Sequence, residues 1–129
     1  MINYGFTKEL ELPFEGAVEA VTAALKKEGF GILTKIDMRE KFKEKLGIDF
    51  PNYVILGACS PANAYKAVQA EENIGLMLPC NVIVYEKGGK TAIAIIKPTV
   101  AMSSIDNAAL KPLALEVETM LKRAFDSMV

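Results

Sequence analysis

Two cysteines carry the sharpest chemical prospects in this chain. Cys80 follows Pro79 at the start of the run Leu78–Glu86, the densest stretch of strand-forming residues, with Asn81 beside it. Cys59 directly precedes Ser60-Pro61, a helix opening whose positive dipole end favours a thiolate. A reactive cysteine needs nearby positive charge or a helix N-terminus to lower its pKa. No basic residue lies within several positions of Cys80, and alternation groups it with Val82 and Val84 on an inner face. Free cysteine is often a small buried hydrophobe, and that reading leads for both. If the helix between them returns antiparallel to the strand ending at Cys59, its twelve residues, about 18 Å long, keep the thiols beyond disulfide reach. A different crossover would bring them together.

Asp37, Glu86 and Lys97 fall at expected strand ends, where sites often form on α/β sheets. As a set they offer an acid, a base and an electrophile, and Asn81, Glu86 and Lys97 could contact a ligand. The simpler reading makes Asp37 a helix cap and leaves Glu86 and Lys97 as solvated charges flanking a hairpin. There is no histidine, the commonest general base near neutral pH and the commonest metal ligand. The two cysteines have no Cys-x-x-Cys spacing, and there is no Gly-rich phosphate loop. No metal or cofactor is expected. Met77, Met102, Met120 and Met128 suit gaps in a core or interface.

Composition narrows the function classes. The 129 residues suit one domain, long enough to bury a core without staples. The 15 basic and 16 acidic residues nearly cancel, and only Arg39 and Arg123 are arginines. Nucleic-acid binding needs a clustered basic footprint, so no nucleic-acid partner is expected. Glu9, Glu11, Glu15 and Glu19 spoil a signal-peptide reading, and no apolar run approaches the ~20 residues of a membrane span. No membrane partner is expected, and the cytoplasm is the expected compartment. Hydrophobic residues reach 51%, above the usual fraction, so a large core or a covered apolar surface must absorb the excess.

The elements that must position these residues follow from periodicity. Tyr4–Leu12 alternates as a half-exposed first strand near an edge, with Lys8 interrupting its apolar side. Pro13-Phe14-Glu15 opens a helix with Ala17, Val18, Val21, Ala24 and Leu25 on one stripe and Gly29 at its end. Phe30–Met38 is a second strand, with Phe30, Ile32, Thr34 and Ile36 sharing a face. Asp37 caps a short helix over Met38–Leu46, anchored by Phe42 and Leu46 and ended by Gly47. Pro51–Cys59 is a third strand, apolar on both faces. Ser60 caps the next helix, with Pro61 in its first turn and Ala64, Tyr65, Ala67 and Val68 inward, ending at Asn73-Ile74-Gly75. Pro79–Lys87 and Thr91–Lys97 form a hairpin about Gly88-Gly89, and Pro98 stops the pairing. Thr99–Asn107 is expected as a loop. A long helix near Pro112 carries Leu113, Val117, Leu121 and Phe125.

Hairpin strands mixed with crossover helices predict an α+β domain: a mixed, largely antiparallel curved sheet of about five strands with helices mainly on one face. The third, fourth and fifth strands are apolar on both sides, so the face without helices needs another cover. A second subunit, giving a homodimer, is the simplest, and a small apolar ligand is the alternative. A thiol-dependent enzyme or redox sensor using Cys59 or Cys80 is the rival reading.

Ile36-Asp37, Lys45-Leu46-Gly47, Ile55-Leu56-Gly57-Ala58-Cys59, Ile74-Gly75 and Leu78-Pro79-Cys80-Asn81-Val82 through Tyr85-Glu86 together resemble the domain-of-unknown-function family 302. The matching segments span about residues 30–90. The resemblance implies a compact fold similar to the TATA-binding-protein class, often homodimeric, with no agreed activity. Where that family commonly has Cys-Asn-Pro, this chain has Cys59-Ser60-Pro61. A shared fold does not carry DNA binding with it.

Overall fold

The computed structural model describes residues 2–128. Its centre is the hairpin of β4 (Cys80–Lys87) and β5 (Lys90–Ile96). Gly88 and Gly89 have φ of 59° and 77°, the left-handed pair that a tight two-residue turn requires and that glycine adopts without a Cβ penalty. β1 (Gly5–Leu10) adds to β5, and β3 (Tyr53–Cys59) and then β2 (Gly31–Asp37) add to β4. The order is β1-β5-β4-β3-β2. Every neighbouring pair is antiparallel, so the sheet is not mixed. The helix after β1 crosses the sheet from β1 at one edge to β2 at the other, which run in the same direction, whereas the helices after β2 and β3 each link antiparallel neighbours.

One sheet face is covered by α1 (Phe14–Lys27) and α5 (Leu110–Ser127), which pack on each other, with α3 (Pro61–Ala70) against α5. The stripe Ala17, Val18, Val21, Ala24 and Leu25 is buried as its spacing predicts. It meets Val54, Leu56, Val82, Val84, Ile93 and Ile95 from the sheet. Lys8 sits within this face. Its ammonium donates to the Phe125 and Met128 carbonyls at the end of α5 and lies 4.3 Å from the Phe125 ring centroid. The lysine thus satisfies carbonyls that a helix end leaves without partners. Burial lowers its pKa, partly opposed by Asp126, while Lys122 lowers it further.

Several local expectations are corrected. β2 carries a bulge between Ile32 and Thr34. Ile32 pairs with Ala58 on the helix side, whereas Thr34 and Ile36 pair with Gly57 and Ile55 on the opposite side. One extra residue reverses which side chains share a face, so the four residues Phe30, Ile32, Thr34 and Ile36 do not. α2 spans Met38–Leu46 and ends at Gly47 (φ 66°), as expected, but buries no residue. Leu46 is 64% exposed and anchors nothing, while Phe42 packs edge-on to Phe50. On α3 the inward residues are Asn63 and Ala67; Tyr65 is 67% exposed and Val68 also faces outward. Ser60 occupies the cap position without a side-chain cap bond, and its hydroxyl instead accepts from Asn63. α3 ends at Ala70, and a 3-10 turn, Glu72–Met77, completes the link to β4. The segment expected as a loop begins with a single helical turn, α4 (Pro98–Ala101).

Candidate functional site

The ends of β3 and β4 bring the cysteines into one neighbourhood. In the antiparallel ladder Ala58 is opposite Cys80, so Cys59 is one residue from Cys80's cross-strand partner. The separation expected for a helix returning beside its strand does not arise, because α3 and the 3-10 turn bridge adjacent antiparallel ends. Both residues border a cavity of about 40 Å³, together with Phe30, Asn63, Leu78 and Met102. That volume suits a few waters at the ~10–15 Å³ that one needs, not an organic substrate. Both cysteines are free; Cys80 is buried and Cys59 half-buried. Burial pushes the Cys80 thiol up to about 11, with Cys59 adding to the effect. Burial also raises Cys59. The start of α3 does not overcome that desolvation.

Asn63 is the polar residue that sequence reasoning missed at this cavity. Its amide donates to the Ser60 hydroxyl at 3.0 Å and to the Met120 sulfur at 3.5 Å. The signal was available in the spacing of Asn63, Ala67 and Ala70, an inward stripe of small residues, but an asparagine does not read as a core residue. Pro79, joined to Leu78 by a cis peptide bond, lies across Gly57. A Cβ on Gly57 would lie 2.6 Å from Pro79 Cγ and 2.2 Å from Thr34 Oγ1.

The charged candidates divide between the two ends of the sheet. Asp37 accepts a 3.0 Å bond from the Glu40 amide at the start of α2, as a helix cap. Glu86 accepts a 2.6 Å bond from Asn52, whose side-chain oxygen accepts from Arg39. Asp37 and Glu86 therefore lie toward the hairpin end. Lys97 follows β5 at the other end, with Asn81 and the cysteines. Its ammonium is 5.0 Å from the Phe6 ring centroid. The structure does not gather Asp37, Glu86 and Lys97 into one cleft. Among the described residues no cluster of three His, Cys, Asp or Glu is placed to hold a metal.

The second feature is the face opposite α1 and α5. Cross-strand register places Ile36, Ile55, Ile83, Ala94 and Thr7 in one row across all five strands. Tyr53, Tyr85, Ala92 and Glu9 form the next. Tyr53 stacks on Tyr85 at 5.5 Å, and Phe50 and Phe42 continue the aromatic line toward α2. Burial raises the Tyr53 phenol, with Tyr85 and then Tyr4 contributing. Ile36 is 42% exposed, and Ile55, Ile83 and Ala94 are only half-buried, although they are central in the row.

These features define an α+β domain with a five-stranded antiparallel sheet, helices on one side and an apolar face on the other. The chain belongs to the DUF302 family: the model of that domain of unknown function matches residues 6–128. A similar solved structure is the uncharacterized conserved DUF302 protein from Bacillus stearothermophilus, at 32% identity and a TM-score of 0.91. The match covers 99% of this chain and 100% of that one. No curated protein matches. No described helix is long and apolar enough to cross a membrane.

Proposed function

We propose that this protein works as a homodimer in which two copies close their apolar sheet faces on each other, with any small apolar ligand held between the sheets. The row Ile36, Ile55, Ile83 and Ala94 carries the reading, because no helix covers it. Packed sheets bury such rows at a spacing of about 10 Å. The cavity beside the cysteines is too small to be the ligand's place. Two free thiols and no disulfide suit a reducing compartment, so the reading places the dimer in the cytoplasm.

The test is sedimentation at micromolar concentration. The native protein is expected as a dimer, and Ile83→Asp as a folded monomer with an unchanged circular dichroism spectrum. A native protein that stays monomeric across the concentration range would defeat the proposal.

A second reading rests on Cys59 and Cys80 bordering one cavity: thiol chemistry, as an enzyme or a redox sensor. The upward shift of both thiols counts against a nucleophile. Thiol titration separates the readings. The dimer reading expects neither cysteine to react faster in the native protein than in the unfolded chain.

A further inference from the structure

The open face has relief as well as hydrophobicity, and its relief is self-complementary. On β3 this face presents Tyr53 and Ile55; on β5, at the same levels, it presents Ala92 and Ala94, while at the next level Pro79 already covers Gly57. Large stands level with small on strands placed symmetrically about β4. The outer strands continue the pattern, with Ile36 on β2 level with Thr7 on β1.

Resting on the dimer reading, we propose that the two copies are related by a two-fold axis running along β4, between the sheets. This operation sets β3 of one copy over β5 of the other and β4 over its own counterpart. Tyr53 then meets Ala92 and Ile55 meets Ala94, each once in either direction, as an isologous interface demands. The raised Phe50–Tyr53 corner settles over the low corner at Ala92. Asn81, Ile83 and Tyr85 lie on the axis and meet themselves, Ile83 under either axis, whereas the flanking strands pair large with small.

A two-fold axis across the strands at the Ile83 level is the other face-to-face arrangement. It sets Ile55 against Ile55 and Ala94 against Ala94, crowding one place and leaving a void in another, and both defects are costly in a packed interface. The available face supports a second copy as occupant. Five strands at about 4.8 Å and seven residues at about 3.3 Å span roughly 500 Å² in projection. Side-chain relief brings this toward the ~800 Å² that each partner gives to a stable interface.

Crosslinking decides between the axes. In a Cys59→Ala/Cys80→Ala background, Ile83→Cys, Ile55→Cys and Ala94→Cys are each treated with a short bismaleimide. Ile55→Cys is also co-expressed with a size-tagged Ala94→Cys chain. The expected result is crosslinking of Ile83→Cys to itself and of Ile55→Cys to Ala94→Cys several-fold above either variant alone. Self-crosslinking of Ile55→Cys exceeding the mixed product would overturn the axis along β4 while leaving the dimer standing. A dimer by sedimentation in which Ile83→Cys fails to crosslink would overturn both the axis and the use of this face. A monomer in sedimentation would remove the dimer reading itself. The substituted positions are on the solvent side of the sheet, and circular dichroism checks that each variant folds.

Discussion

Gly57 and Cys80 lie one rung apart on the β3–β4 ladder, on opposite faces, and show two different demands on a single residue. Gly57 is required by space. In Gly57→Ala the new methyl would press on the Pro79 ring, which cannot swing away, and on the Thr34 hydroxyl, which can. The expected loss is about 2–3 kcal/mol in urea unfolding, the range for overpacking. Adding Thr34→Ala should recover only part of it, because the Pro79 contact remains. Cys80 is required to stay neutral. Its folded pKa is raised above the unfolded value, so its contribution is fully present below about pH 9 and lost as pH rises toward about 11. Native protein should therefore lose roughly 2 kcal/mol more than Cys80→Ala between those limits, read as a difference in urea midpoints. Equal slopes for the two proteins would refute it. Tyr53, whose phenol burial also raises, is present in both proteins, so the comparison isolates the thiol.

At the scale of elements, α2 is the least secured. It buries no side chain and depends on its ends: the Asp37 cap, the left-handed Gly47 and the Phe42–Phe50 contact. Asp37→Ala is expected to cost about 1 kcal/mol. The loss should appear chiefly as faster amide exchange within Met38–Leu46 while the β4–β5 hairpin remains protected. Exchange that accelerates uniformly would show that α2 opens only with the whole domain. The limits of α2 were legible because Asp and Gly bracket it at positions where their backbone preferences matter. Its supposed anchor Leu46 was not, because a nine-residue helix shows too few turns to separate a buried stripe from a chance one. The hairpin was legible for the opposite reason, with two glycines between strongly alternating runs. The bulge in β2 left no comparable mark, since Thr34 and Ile36 suit either face of a strand.

For the whole molecule, alternation in β3, β4 and β5 already implied two apolar faces, and the helices cover one of them. What could not be read was where the two cysteines sit relative to each other. That depends on whether the link after β3 crosses the sheet or turns back to its neighbour, and the helical pattern of α3 is the same in both cases. Asn63 was hidden likewise, its inward position set by contact with α5 and not by its own polarity. If two copies join through the open face, folding and association are linked by mass action. The melting temperature of the native protein should then rise with protein concentration, while that of Ile83→Asp should not. Scanning calorimetry over a hundredfold dilution checks this, and a native midpoint independent of concentration would count against the linkage.

The bulge between Ile32 and Thr34 has a consequence for stoichiometry. β2 is one outer margin of the sheet, and an uninterrupted margin would offer its free amides and carbonyls to any passing strand, copy after copy. The extra residue breaks that repeat after its first rungs, and Lys35 adds a charge there. If two copies join through the open face, sideways growth along this margin is thereby disfavoured, and the face is the route that association takes.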